Sequence, residues 1–516
     1  MVNPGEGKKL KAKKALWVLV VGFALFAVFL GKPLFHLAKG WFGDEGWVSG
    51  ALPEGFVDDA SRLNQTKVRE VWKMPVDVED PEGQLAGLLA RARAEGLQVS
   101  IAGARHSMGG HTMYPGGIVV DMLPWRKMEW DEGKGVLWVQ AGAMWSEVIA
   151  YLDPLGKSVG VMQSNDSFSV GGSVSVNCHG WQFGKPPISS TVESFRLMKA
   201  DGEVVGCSRT ENAELFSLAL GGYGLFGILL DLELRVVENR AYRLEQYVVP
   251  AEEALGTFDE KVLGKPGVEM VYARMNVARG KFLDEVILNA FLVEPDAEIP
   301  GLAEPGLVKL RRAIFRGSVE SEYGKELRWD AETKLQPMLR GGKVFSRNQL
   351  QNEGAEVFQN RTADTTDILH EYFVPRSQVG GFVERLKELI PGSGVDLLNV
   401  TVREVEEDTD TFLRYADQPM IAVVMLFVQQ RTDDGEAKMQ ALTRKLVDAA
   451  LQNGGRYYLP YRLHASRGQF QMAYPMAVEF FEAKRRYDPG ELFQNRFYQK
   501  YGGAGDPESR IPAPNH

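Results

Sequence analysis

The chain has 516 residues, 44% of them hydrophobic and 25% charged, with a formal net charge of −9. That length is more than one ordinary core supports, so two domains of roughly 200 to 250 residues plus an appendage are expected. The acidic balance, with no basic stripe in the body of the chain, excludes a nucleic-acid partner. Two cysteines, Cys178 and Cys207, give neither a disulfide framework nor a metal-ligand set, and no CxxC or HExxH occurs. Both cysteines read as free, with one bridge between them as the alternative, and no metal site is expected.

A basic tail, residues 1–14 with Lys8, Lys9, Lys11, Lys13 and Lys14, precedes an apolar run. Its length suits one transmembrane helix over 15–37, with a cleaved signal or a buried helix as alternatives. The positive-inside rule keeps the lysines cytoplasmic and puts the catalytic domains in the periplasm of a bacterial cell, so the protein is expected to be a single-pass membrane protein. Residues 38–64, rich in Gly, Asp and Pro, read as a linker. From Val68 the chain alternates into strand-like pieces, and Pro81 to Glu95 has the helical period in Leu85, Leu88, Leu89 and Ala92.

The run from Val99 to His111 reads VSIAGARHSMGGH: an apolar strand ends in a small-residue loop carrying Gly103, Arg105, His106 and Ser107, followed by Gly109 and Gly110. Residues without bulky side chains let several backbone N–H groups surround a pyrophosphate. Strand signals recur at 117–122 and 136–140, and a helical one at 145–155. A second run, Ser164 to Gly180, is dense in Ser, Asn and Gly between Val170, Val174 and Val176, and reads as the wall of a narrow cleft that hydrogen-bonds a polar cofactor. Gly222 to Gly227 formally matches GxGxxG, but a helix precedes it and a strand follows. That order is the reverse of a nicotinamide fingerprint, so these glycines are expected to let the backbone pass close to a flat ring.

Composition shifts near Asn239. A second region, 240–459, carries strand signals at 270–274, 285–293, 369–374, 396–402 and 420–429, and amphipathic helices at 378–389 and 436–451. The overall texture is α+β. Residues 301–354 give few signals, and the last residues, 503–516, read as a tail.

With these three glycine-bearing stretches together, the sequence resembles the vanillyl-alcohol-oxidase (PCMH-type FAD-binding) superfamily, closest to its sugar-lactone and alditol oxidase branch. The likeness covers about 68–238, then resumes at Leu369 to Pro375, Val402-Arg403 and Lys484 to Asn495. It implies an FAD-binding PCMH-type domain over 65–239, a substrate (cap) domain over 240–459 and a segment, 460–502, returning to the flavin. FAD would lie between the domains, held by Ala102, Gly103, Ala104, Arg105, His106, Ser107 and Gly110 of the first loop. From the middle of the domain come Gly142, Ser164, Ser169, Gly171, Gly172, Ser175, Asn177, His179 and Gly180, with Gly227, Ile228 and Asn495 further on. His106 stands where the family often bonds a histidine to the flavin 8α-carbon, and a histidyl bond raises the flavin's reduction potential.

The resemblance is looser on the substrate side, where Thr401 and Asn399 precede Arg403 and the stretch Tyr458 to Ala465 replaces the family's C-terminal segment. The expected chemistry is oxidation of a CH–OH group of a small alcohol, sugar acid or lactone, or hydroxy acid, by hydride transfer to flavin N5. His464 is the first candidate for the base, because an imidazole accepts a proton near neutrality. Arg403 and Arg462 are expected to stabilise negative charge, and Glu371 is a further candidate. Oxygen and quinone are both open as acceptors. A dehydrogenase or reductase serving a membrane substrate, and an inactive flavin-binding module, are the alternatives.

Overall fold

The computed structural model describes residues 14, 17, 21, 31–43, 52–303 and 306–503. A strand Glu70–Lys73, a helix Pro81–Glu95 and a strand Val99–Ala102 form one βαβ unit, and Ile118–Asp121 lies between the two strands, parallel to both. The helix begins where Asp80 accepts from Gly83 N at 2.8 Å with Pro81 in the first turn, and ends where Gly96 takes the left-handed conformation, φ 66°. Leu85, Leu88, Leu89 and Ala92 are all buried, as their spacing predicts.

A second, antiparallel sheet orders its strands Val204–Ser208, Val192–Met198, Ile228–Glu238, Val136–Gln140 and Met128–Asp131, with Lys157–Val159 paired to the end of the long central strand. Three residues after that central strand ends, Ala241–Pro250 enters a third sheet of eight antiparallel strands. Its order is Val344–Ser346, Ala241–Pro250, Glu285–Val293, Val268–Met275, Asp396–Val405, Met420–Gln430, Thr365–Pro375 and Arg456–Tyr457. The strand-period alternation shows where this sheet is covered. Val400, Val423, Met425 and Phe427 are buried with Phe382, Leu386, Leu442 and Leu446 of helices Val379–Leu389 and Asp433–Gln452. On the opposite face Asn399, Thr401, Arg403, Val424 and Leu426 are only partly buried. The molecule is thus an α+β, two-domain structure in which one face of the large sheet is turned toward the first domain.

The C-terminal segment closes the parallel sheet. Leu492 O accepts from Val99 N at 2.8 Å, Val99 O accepts from Gln494 N at 2.9 Å, and Gln494 O accepts from the Ser100 hydroxyl at 2.7 Å.

Among the described residues no helix is long and apolar enough to cross a membrane, which overturns the expected anchor over 15–37 and the single-pass localisation with periplasmic domains. Most of residues 1–30, including the basic tail, lies outside the described residues. Of the described residues in that span, Lys32 to Leu37 belong to a 12-residue helix, Lys32–Gly43, docked on the protein itself. Its His36 Nε2 bonds Gly317 O at 2.8 Å, the same ring meets Tyr323 edge-on at 5.3 Å, and the Lys32 ammonium sits 3.9 Å from the Tyr323 ring centre. Two helices in the region that gives few sequence signals, Val308–Arg316 and Glu322–Asp330, provide the docking surface.

Candidate active site

The loop after Val99–Ala102 is shaped by what cannot fit beside it. A Cβ at Gly103 would collide with Ser169 Oγ, and one at Gly109 would stand 2.5 Å from Tyr461 O. The first glycine loop and the Ser169 run therefore touch. Ala104 N donates to Ser169 Oγ at 3.3 Å, and a Cβ at Gly172 would lie 2.8 Å from that same oxygen. Arg105 adopts φ 55°, a strained conformation for a non-glycine residue. Its guanidinium reaches Asp121 at 3.5 Å, while Arg105 Nε and Ser107 Oγ are buried without a partner. Unpaired buried donors are costly, and here they stand beside a glycine cradle, so the residues fit a dinucleotide phosphate.

His106 is stacked on Phe168 at 4.0 Å between ring centres, and its Nε2 bonds Ser167 O at 2.8 Å. A carbonyl can only accept, so Nε2 carries the proton and Nδ1 keeps its lone pair. Burial holds the imidazole below its usual pKa and so keeps it neutral.

Across the cleft, the partly buried face of the eight-stranded sheet supplies Glu371 and Arg403. His179 Nε2 meets Glu371 Oε1 at 2.5 Å, joining the two domains, and the Tyr461 hydroxyl donates to Glu371 Oε2 at 3.2 Å. Both members of the pair are about 95% buried, at 5% and 4% exposure. Burial alone would raise the Glu371 carboxyl. The His179 imidazole, the Arg403 guanidinium and the Tyr461 hydroxyl outweigh it and hold the acid below the ordinary value, so it is ionised at neutrality. Arg403 Nη2 donates to Ser164 Oγ at 2.5 Å, and its Nε has no partner. Met108 of the glycine loop lies under the same face, its sulfur 3.4 Å from Leu369 N.

Several sequence-level assignments need correction. His464 has no free nitrogen: Nε2 meets Glu436 Oε1 at 2.8 Å and Nδ1 meets Thr443 Oγ1 at 2.9 Å. Burial pushes its pKa to about 4, so it stands as a packed residue and not as the base. Arg462 is engaged by Glu436, by Asn64 at 2.9 Å and by Met108 O at 3.3 Å, with its Nε left without a partner. The carboxamide of Asn177 braces the fold, donating to Asp408 at 2.9 Å and accepting from Ser189 N at 3.1 Å, so it is not available to a cofactor. The Asn495 side chain caps the helix Arg496–Tyr501 and donates to Tyr223 O at 2.9 Å.

Gly142, Gly171 and Gly180 make room for neighbouring backbone, at Met122 O, Ala141 O and Met162 O respectively, and Gly227 clears Leu197 and Met198 O. The close approach at Gly227 is thus to a neighbouring strand and not to a ring, and Ile228 is fully buried. Gly110 clears the Arg496 side chain, and its N–H donates to Asp59 at 2.8 Å. Ala102 is the buried last residue of its strand, and Ser175 O accepts from Tyr223 N at 2.9 Å. Sequence reasoning missed Tyr461, whose signal was available only as one aromatic in an unmatched stretch. Both cysteines are buried and free, and among the described residues no cluster of metal-binding side chains occurs.

Residues 79–208 match the FAD binding domain family. The chain is 27% identical to L-gulonolactone oxidase of Mus musculus over 168 residues, 33% of this chain and 37% of that protein. It is 33% identical to cytokinin dehydrogenase 2 of Arabidopsis thaliana over 134 residues, 26% and 27% of the two chains. A longer match, to cytokinin dehydrogenase 10 of Oryza sativa subsp. japonica, is 25% identical over 449 residues, 78% of this chain and 80% of that one. The chain spans about a third of the length of the curated relatives it matches first. It therefore carries an FAD-binding domain homologous to that of FAD-linked oxidases and dehydrogenases, which bears out the resemblance and the cofactor.

Proposed function

We propose that this protein is an FAD-dependent oxidoreductase that oxidises a CH–OH group of a small alcohol, sugar acid or lactone, or hydroxy acid. The reading rests above all on the buried His179–Glu371 pair that bridges the two domains beside the glycine cradle. Bound FAD supplies the ring that takes up the hydride.

The chain's own residues do the rest. Glu371, ionised and within the cleft, accepts the hydroxyl proton, as a general base must be charged before the step. His179 and Tyr461 fix the carboxylate's orientation through its two oxygens, which is what makes the base effective at one geometry. Arg403 opposes the negative charge that grows on the substrate oxygen as its proton leaves. His106 would be the residue that holds the flavin covalently, and the bond from its Nε2 to Ser167 O leaves Nδ1 unprotonated for that role.

The test is an anaerobic titration of the purified holoprotein with alcohols, lactones and hydroxy acids, read in the flavin absorbance. Bleaching by at least one class supports the reading. A colourless protein that takes up no FAD, or a flavin that no substrate bleaches, overturns it. Peroxide formation in air, compared with turnover on a quinone analogue, assigns the acceptor. After acid precipitation the flavin should stay with the wild-type protein and leave His106→Ala; wild-type flavin in the supernatant ends the covalent assignment. A second reading, dehydrogenation of a cytokinin, is favoured by the match that reaches across both domains to a cytokinin dehydrogenase. Cytokinins in the same titration decide it.

A further inference from the structure

The face of the eight-stranded sheet that looks into the cleft has an ordered charge pattern that the register makes visible. Glu371 pairs with Val424, Val424 with Thr401, and Thr401 with Arg274, so these four residues form one row across four strands. Cross-strand partners share a face, and neighbouring strands lie about 4.8 Å apart, which puts the Glu371 and Arg274 backbones about 14 Å from each other. The small side chains of Val424 and Thr401 separate a carboxylate at one end of the row from a guanidinium at the other. In the next row, Phe373, Ala422 and Arg403 are aligned in the same way, which sets Arg403 alongside the first row.

Both arginines are incompletely used. Arg274 Nη2 donates to Glu332 Oε1 at 3.2 Å, and its Nε has no partner; Arg403 bonds Ser164, and its Nε has none either. Glu332 is itself shared, since Arg328 Nε lies 3.5 Å from the same oxygen. Two guanidinium groups on one carboxylate leave positive charge over at the Arg274 end. Asn399, on the same face, donates to Thr401 Oγ1 at 3.0 Å and has an unpartnered Oδ1. An orphaned, half-buried guanidinium edge is unfavourable unless an anion completes it, and the planar fork of arginine matches a carboxylate.

We infer that the substrate is a short hydroxycarboxylate, its carboxylate held by Arg274 with Arg403 alongside and its carbinol group presented to Glu371. The inference rests on the FAD-dependent oxidoreductase reading and narrows it: neutral polyols and lactones bring no anion to the Arg274 end. Arg274 is a binding residue in this account, and Glu332 is the group that tempers it. In the oxidation, the carbinol C–H pair of electrons leaves with the hydrogen to the bound flavin and the hydroxyl proton goes to Glu371. The product is the corresponding oxocarboxylate.

The experiment uses the full chain as FAD holoprotein and matched compounds that differ only at one end: gluconate against its lactone and sorbitol, and lactate against lactamide. Acids are expected to bleach the flavin, with the neutral partners at least tenfold poorer in kcat/KM. Binding is read separately by calorimetry with α-hydroxyisobutyrate, which has no carbinol hydrogen to lose. Arg274→Met should weaken that binding about 10- to 100-fold, the worth of one charge-assisted pair, with FAD content unchanged. Glu332→Gln should tighten it, since the guanidinium loses its competing partner.

Equal bleaching by acids and their neutral partners overturns the inference and leaves the oxidoreductase reading standing, as does unchanged α-hydroxyisobutyrate affinity in both variants. Binding without bleaching by any compound overturns the oxidoreductase reading and with it the assignment of a substrate, leaving only an anion site at Arg274. Neither binding nor bleaching overturns both.

Discussion

Glu371→Gln separates the base from the scaffold. The carboxamide keeps an oxygen to accept from His179 Nε2, 2.5 Å away in the wild type, and its amide can donate to the Tyr461 hydroxyl, so the bridge between domains survives. What is lost is the negative charge and the ability to take a proton. Removing a positioned general base costs about 100- to 10,000-fold in rate, so flavin reduction should slow by that factor while FAD content stays at the wild-type level. Stability should fall by about 1–3 kcal/mol, the range for a weakened buried hydrogen bond. Glu371→Ala is different in kind: it leaves His179 buried without its partner and should cost about 3–5 kcal/mol.

The pH profile adds a sign. Because the folded Glu371 carboxyl titrates below its ordinary 4.5, the wild-type rate should hold as pH falls toward that value and decline only below it. By the same linkage, the stability contributed by the pair is present above the unfolded value and lost as pH falls through the lower folded one. Stopped-flow reduction and urea denaturation across pH measure both. A Glu371→Gln enzyme reduced within about threefold of the wild-type rate would refute the assignment, since no general base contributes so little.

Gly103→Ala should lower FAD content, because its new methyl collides with Ser169 Oγ, and Ser169→Gly in the same chain should restore it; spectra of purified proteins decide. Overpacking of this kind costs about 1–3 kcal/mol, readable as a fall in Tm. Burial lowers His111 and His370 to about 3 and His464 to about 4, from 6.5. Their folded values lie below the unfolded one, so the stability they contribute is present above pH 6.5 and lost as pH falls from there toward 4. Each adds a slope of about 1.4 kcal/mol per pH unit in that window. Urea midpoints that stay flat across it would contradict the account. His36→Ala should loosen the Lys32–Gly43 helix by about 1 kcal/mol, seen as faster limited proteolysis there.

Local signals carried the parts of the fold that local physics decides. The Asp80-Pro81 start, the Gly96 stop and the four-residue apolar stripe between them are all in the sequence and all in the helix. The strands of the large sheet were legible where one face is apolar, as in Met420–Gln430, and illegible in Ala241–Pro250, where Arg243, Glu245 and Gln246 leave no clean alternation. Helices Val308–Arg316 and Glu322–Asp330 were hidden for a similar reason. Arg312, Lys325 and Arg328 interrupt any apolar stripe, yet all three are buried. Arg274 could not be singled out at all, because its place opposite Thr401 is a fact of register between segments more than a hundred residues apart.

The sequence offered His464 as the base, and the reason it fails also identifies Glu371. Among the described residues two glutamate–histidine pairs stand out, and they differ in where they sit: the Glu436 side chain that meets His464 is 35% exposed, whereas His179 and Glu371 are both buried. Both nitrogens of His464 are taken, by Glu436 and Thr443, and Glu436 also accepts from Arg462 and Gln429, although Arg462 Nε and Gln429 Oε1 are themselves left without partners. An imidazole with both nitrogens engaged has no lone pair to offer a substrate proton. The pair formed by Glu371 and His179 spans two domains, and its neighbour Arg403 keeps a buried nitrogen without an acceptor. Arg105 and Ser107 do the same on the facing loop. Unpartnered polar atoms occur elsewhere in the molecule too, so it is the position of the Glu371–His179 pair, buried between the two domains and beside the glycine loop that carries Met108, that singles it out.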